Sequence, residues 1–216
     1  MHRIGYYALF TLVLWFQSCV NVESCMWAGA ECIDYVVLSN NSDYEVRQYP
    51  PTVWVSTSIK GSSMVDAMKR MYRRLFYYFD ERNVKGLFIN TTTPVRTRVT
   101  PCVGACRPTF TMSFLIPSAL RDDPPLPIDQ DLYCEREPTK RYIVRKFGGY
   151  PGEMDWIDNA HKLSITLKEE DIVDTSHYYL AFYDPPLKIF NRRNEIWMEK
   201  ISVDNSISDA ETNDAF

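Results

Sequence analysis

Period-2 alternation of apolar and polar residues dominates the chain, and Tyr44-Glu45-Val46-Arg47-Gln48-Tyr49 and residues 52–59 both read as strands. Pro50-Pro51 between them reads as a turn, so an antiparallel hairpin is expected. From Ser62 or Ser63 the period becomes helical, with Val65, Met68, Met71 or Tyr72, Leu75 and Phe79 on one stripe. Lys69, Arg70, Arg73 and Arg74 lie mostly off that stripe. Short strands follow at 86–89 and 95–99, around Pro94.

The second half of the chain repeats this order. A strand is expected at 110–116, then a proline-rich connector (DDPPLPID), then a hairpin of 131–135 and 141–147 across Glu137-Pro138. Gly148-Gly149 ends it. A helix over about 151–170 follows, with Met154, Ile157, Leu163 and Leu167 facing inward, and strands at 177–183 and 195–200 close the domain. Hairpin, helix and two strands, twice over, predict an α+β fold. Its expected form is a duplicated antiparallel β-barrel of about eight strands flanked by two helices, with pseudo-repeats at 35–100 and 110–200.

The pattern breaks at both ends. Residues 1–24 carry Arg3, an apolar run from Tyr6 to Phe16 and then small polar residues, the arrangement of a secretory leader. That run is shorter than the roughly 20 residues a membrane-spanning helix needs. Cleavage is expected after Ser24, with a site near Ser18 as the alternative. No later segment is apolar enough to cross a membrane, so the product is expected to be soluble, exported and monomeric. The tail, 202–216, carries Asp204, Asp209, Glu211 and Asp214 with no basic residue and reads as a frayed acidic end.

Charge and cysteines then change the picture. The 216 residues hold 24 basic and 28 acidic side chains, a net charge of −4, which excludes a nucleic-acid binder relying on global charge. Arg3 and Glu23 leave with the leader and the remaining excess of acid belongs to the tail, so residues 25–201 are balanced. An exported chain permits disulfides. Cleavage after Ser24 leaves Cys25, Cys32, Cys102, Cys106 and Cys134, an odd number, whereas a site near Ser18 retains Cys19 and restores six. Cys102 and Cys106 share a Pro/Gly-containing loop and are candidates for a local bridge. No CxxC pair or neighbouring His pair supports a zinc site. The sequons at Asn40 and Asn90 are candidates for glycosylation.

Candidate chemistry favours binding over catalysis. No G-x-S-x-G, H-E-x-x-H, P-loop or dinucleotide fingerprint is present. Cys134 and His161 are too scattered to make a nucleophile pair, and no catalytic residue or metal site is expected. The first helix instead offers Met64, Met68, Met71 and Tyr72 beside Lys69 and Arg73. Methionine adapts its shape to large apolar ligands, although a stripe of this kind also serves simply to pack a helix onto a sheet. Arg192-Arg193-Asn194-Glu195 reads as an anion-receiving pair or, preferably, as a charge lock for the last strand.

Several separated motifs resemble the SOUL/haem-binding protein family. They are Tyr44-Glu45-Val46-Arg47-Gln48-Tyr49-Pro50, Lys85-Gly86 with Thr92-Thr93-Pro94-Val95, Asp123-Pro124-Pro125-Leu126-Pro127, and Val144-Arg145-Lys146-Phe147-Gly148-Gly149-Tyr150. Tyr183-Asp184-Pro185-Pro186-Leu187-Lys188, leading into residues 191–197, completes the set, in order over about 35–200. The resemblance implies the duplicated barrel and non-covalent binding of haem or another tetrapyrrole, without catalysis. It places Lys69 and Lys188 where cations meet the ligand's propionates, and puts Tyr77 at a second, usually basic, helix position. Some members carry a His where this chain has Gln48, and neither His161 nor His177 matches a family ligand, so a strong axial ligand is not expected. The segment 161–171 corresponds to a death-regulator-like stretch in some relatives, a role an exported chain has no use for. The expected function is a secreted tetrapyrrole carrier or scavenger using an apolar cleft beside the first helix. The alternative is an extracellular interaction protein that keeps the fold and has lost haem binding.

Overall fold

The computed structural model describes residues 25–185 and 187–201; the expected leader and acidic tail lie outside the described residues. Among the described residues, twelve strands and two α-helices are formed. A small sheet joins β1 (Met26–Trp27), β2 (Ala30–Cys32) and β6 (Thr92–Thr93). The other nine strands make one antiparallel sheet, in the order β3 (Val36–Asn40), β4 (Glu45–Tyr49), β10 (Lys140–Phe147), β12 (Asn194–Glu199), β11 (Tyr178–Phe182), β7 (Val95–Thr100), β8 (Thr109–Leu115), β5 (Thr52–Lys60), β9 (Tyr133–Glu137).

The expected hairpins are not formed. β4 pairs with β3 and β10, while β5 pairs with β8 and β9, so the strands flanking Pro50-Pro51 lie near opposite ends of the sheet. The same holds for β9 and β10 around Pro138. Proline explains both cases: its ring fixes φ near −65°, whereas a two-residue hairpin turn needs positive φ at its first central position. The chain is therefore steered onward at both corners. Nor is there a strand at 86–89, only a single bridge from Phe88 to Asp80. The sheet curls into a half-barrel that keeps β3 and β9 as edges, rather than closing as a barrel of about eight strands. Matching β4, β5, β7 and β8 with β9, β10, β11 and β12 turns the order of these eight strands into its own reverse.

Helix α1 (Met64–Phe79) packs on β5 and β8, and α2 (Glu153–Thr166) packs on β10 and β12. Ser63 caps α1 by accepting the Asp66 N–H (3.2 Å). Ser63→Ala is expected to lower stability by about 1 kcal/mol, measured by urea unfolding. The helix buries Met64, Ala67, Met71, Leu75, Tyr78 and Phe79, leaving Val65 and Tyr72 exposed. In α2 the inward residues are Trp156, Ala160 and Leu163; Met154 and Ile157 face outward and Leu167 lies just past the helix end. The Trp156 ring sets that face by packing against Phe147 and Phe182, at 5.0 and 4.6 Å between centroids.

Strand alternation splits the core in two. One face of the sheet, with Val55, Phe114, Ile143, Leu180 and Ile196, packs under both helices. The other carries Tyr49, Trp54, Tyr142, Tyr179 and Trp197 and is buried because the sheet curls over it. Charges are enclosed there as well. Glu195 accepts from Arg47 Nη1 at 3.1 Å to both oxygens, from Arg193 Nε at 2.9 Å and from Trp197 Nε1 at 2.7 Å. Arg96 donates to both oxygens of Glu137 (2.9 and 2.6 Å) with its guanidinium 3.8 Å over the Trp54 ring.

Candidate functional site

Where α1 leaves part of the sheet uncovered, a cleft of about 540 Å³ opens. Its size falls within the roughly 300–1,000 Å³ of small-molecule sites. Val95 of β7, Met112 and Phe114 of β8 and Phe182 of β11 line it from the sheet. Met68, Lys69 and Tyr72 line it from α1, with the Tyr72 ring set edge-on against Phe114 at 5.4 Å. Tyr72 is exposed because this flank of the helix faces the cleft instead of the core.

The rest of the lining comes from two loops. Trp27, Ala28 and Ala30 belong to a hairpin closed by the Cys25–Cys32 disulfide, and β2 of this hairpin pairs in parallel with β6, whose Thr92 and Thr93 also line the cleft. The turn residues Ala28 and Gly29 both have positive φ, +50° and +83°, as a two-residue hairpin of this type requires. The second loop follows β11 and contributes Asp184, Pro185 and Arg192.

Asp184 ties the two loops together. Its buried carboxylate accepts from Trp27 Nε1 (2.8 Å), from Lys188 Nζ (2.7 Å) and from the Arg193 backbone N–H. Burial alone would raise this carboxyl's pKa, but the three donors outweigh it and hold the group below the usual carboxylate range. Arg192 braces the same loop through the carbonyls of Asp184, Pro185 and Lys188 and stacks over Tyr150 at 4.3 Å.

The sequence candidates therefore separate. Met68, Lys69 and Tyr72 meet in the cleft, whereas Met64 and Met71 are buried in the core beneath α1. Lys188 is not among the lining residues; its Nζ is ion-paired with Asp184 and lies 5.2 Å over the ring of Trp27, both of which line the cleft. Tyr77 lies on another flank of α1, under Arg82 at 4.4 Å. Gln48 is in β4, receives a hydrogen bond from Arg141 and does not line the cleft. His161 is exposed on α2. His177 precedes β11 with its Nδ1 3.3 Å from Asp174, and burial lowers its pKa. Of the expected charge lock of Arg192, Arg193 and Glu195, Arg193 and Glu195 pair, with Arg47 as a further partner, whereas Arg192 donates to loop carbonyls instead.

The Cys102–Cys106 bridge is formed in the exposed loop between β7 and β8. Cys134 is the free cysteine among the described residues. Asn40 and Asn90 are both exposed, and Asn90 immediately precedes Thr91 on the cleft rim. No helix among the described residues is long and apolar enough to cross a membrane.

Comparisons with known proteins show what the chain is similar to. The family described as "SOUL heme-binding protein" matches residues 30–199. The chain is 34% identical to human "Heme-binding protein 2" over 157 residues, covering 72% of this chain and 77% of that one. It is 33% identical to "Heme-binding protein 1" of Xenopus tropicalis over 184 residues, covering 83% and 97% respectively. Among solved structures, the EcmrR C-terminal domain has the same fold, with a TM-score of 0.57 at 9% identity over 74% of this chain and 99% of that one.

Proposed function

This chain belongs to the SOUL heme-binding protein family, and from that membership we propose that it binds haem or a related tetrapyrrole non-covalently in the cleft beside α1. The carrying observation is that cleft, in which Trp27, Met68, Tyr72 and Phe114 surround about 540 Å³ next to Lys69, a cation with no ion-pair partner among the described residues. A porphyrin is a flat apolar disc with two carboxylates at one edge, so it requires an apolar slot with a cation at its mouth. The residues present fit that demand. When bound, haem would bring an iron atom whose ligands tune its chemistry. Met68 and Tyr72 are the side chains that fit a ligating role here, and no histidine is among the lining residues.

The protein acts as an exported carrier or scavenger, with no catalytic step and no nucleic-acid partner, and as a monomer. The leader-like first 24 residues and the two disulfides support an oxidising compartment, and the exposure of Asn40 and Asn90 supports their glycosylation. The reversed strand match supports an origin by duplication.

Titrating haemin into the purified protein is expected to give a saturable shift of the Soret band with quenching of tryptophan emission. Met68→Arg, which puts a long charged side chain into the cleft, is expected to abolish both. Lys69→Ala should weaken binding about two- to fivefold, the worth of one exposed charge pair. A titration without saturation sinks the reading and favours the alternative, an extracellular interaction protein on the same fold.

A further inference from the structure

We propose that the Cys25–Cys32 hairpin is a ligand-contacting wall of the cleft, with Trp27 as the residue that sets affinity for a large flat aromatic ring. The inference rests on the tetrapyrrole reading and deepens it. Most of this hairpin, residues 25–29, precedes the segment that the family description matches, which begins at residue 30.

Three observations carry it. First, Trp27, Ala28 and Ala30 line the cleft together with α1 and the sheet. Second, the Trp27 ring is held from several directions. Its Nε1 donates to Asp184, Tyr183 meets it edge-on at 6.1 Å, and Lys188 and Arg193 lie over it at 5.2 and 4.9 Å. The disulfide, the Cys32 N–H donated to the Cys25 carbonyl (2.8 Å) and the β2–β6 pairing fix the hairpin that carries the ring. An aromatic surface fixed before binding gives up little conformational freedom when a ligand arrives. Third, the turn holds Ala28 at a φ of +50°, where Asn or Gly would be relaxed. A small apolar side chain at that strained position keeps the wall apolar where it meets the cleft.

The test compares haemin and iron-free protoporphyrin IX binding to the wild type, Trp27→Ala, Ala28→Asn, Cys25→Ser with Cys32→Ser, and Met68→Arg. Trp27→Ala is expected to weaken both ligands by about tenfold or more, as loss of a stacked aromatic contact does. The factor should be equal for the two ligands, because the contact is with the ring and not with iron. Ala28→Asn relaxes the turn and so keeps the protein folded, yet lines the wall with an amide; it should weaken both ligands severalfold. The double serine variant should show a loss between these two. Trp27→Ala and Ala28→Asn binding within twofold of the wild type, with Met68→Arg inactive, would overturn the wall and leave the cleft reading standing. Unimpaired binding by Met68→Arg, or no saturable binding by the wild type, would overturn the cleft reading and the wall with it.

Discussion

Glu195→Gln lowers the unfolding free energy by about 3–5 kcal/mol, the usual cost of removing one partner from a buried charge network. Glu195 is fully buried and accepts from three side chains that approach from separate strands or loops: Arg47 of β4, Arg193 before β12 and Trp197 of β12. The neutral amide leaves the buried Arg47 with Glu45 alone as carboxylate partner, at 2.8 Å. Among the described residues Arg47 Nη2 has no hydrogen-bond partner in the intact network. Urea denaturation monitored by tryptophan emission gives the result directly. A change below about 1 kcal/mol would mean that water reaches these groups and that the inner face is not sealed. Arg47→Met combined with Glu195→Gln should cost less than the two single changes added together, because each alone strands the other's charge.

The second large effect is at Asp184, and it depends on pH. Asp184→Asn removes a charge from three donors and should cost about 2–3 kcal/mol at neutral pH. The carboxyl titrates below its ordinary value in the folded chain, so its stabilisation is complete above the unfolded value of about 3.9. It is lost as the pH falls through the lowered folded value. The stability gap between wild type and variant should therefore be constant from about pH 8 to 5 and shrink as the solution is acidified further. Other depressed carboxyls, Glu45, Asp171 and Asp174, are common to both proteins and cancel in the difference. A gap that does not vary with pH would show that the side chain's shape, rather than its charge, holds the two loops.

Periodicity locates β4, β5, β7, β8 and β10–β12 to within a few residues because each strand packs at least one face in a core. It is silent on pairing, since alternation says which face is buried and nothing about the neighbour. That is why Pro50-Pro51 and Pro138 pass as hairpin turns until φ is considered. β3 is exposed along its whole length and leaves no alternation to detect. β1, β2 and β6 are too short to show a period. In the cleft, Met68, Lys69 and Tyr72 are legible because they sit on the edge of a helical stripe, whereas Met64 and Met71 share that stripe's centre and are swallowed by the core. Trp27 escapes every periodic pattern. The signal for it was a lone tryptophan between two cysteines seven residues apart, which a bridge would turn into a rigid display. Asp184 is visible as part of a motif, but its three-way acceptor role depends on loops brought together only by folding.

The interleaving of the two halves bears on how the chain reaches this state. One edge of β4 is complemented by β10, about ninety residues later, and one edge of β5 by β9. A nascent chain that has emerged only as far as β8 carries three strands, β4, β5 and β7, each with an edge whose partner (β10, β9 and β11) has not yet emerged. Contacts so distant along the sequence slow folding, and unpaired edges invite association with other chains in the meantime. Each half is accordingly no independent folding unit. A fragment ending before Tyr133 should aggregate on release from the ribosome, and the complete chain should depend on whatever shields those edges until β9, β10 and β11 arrive.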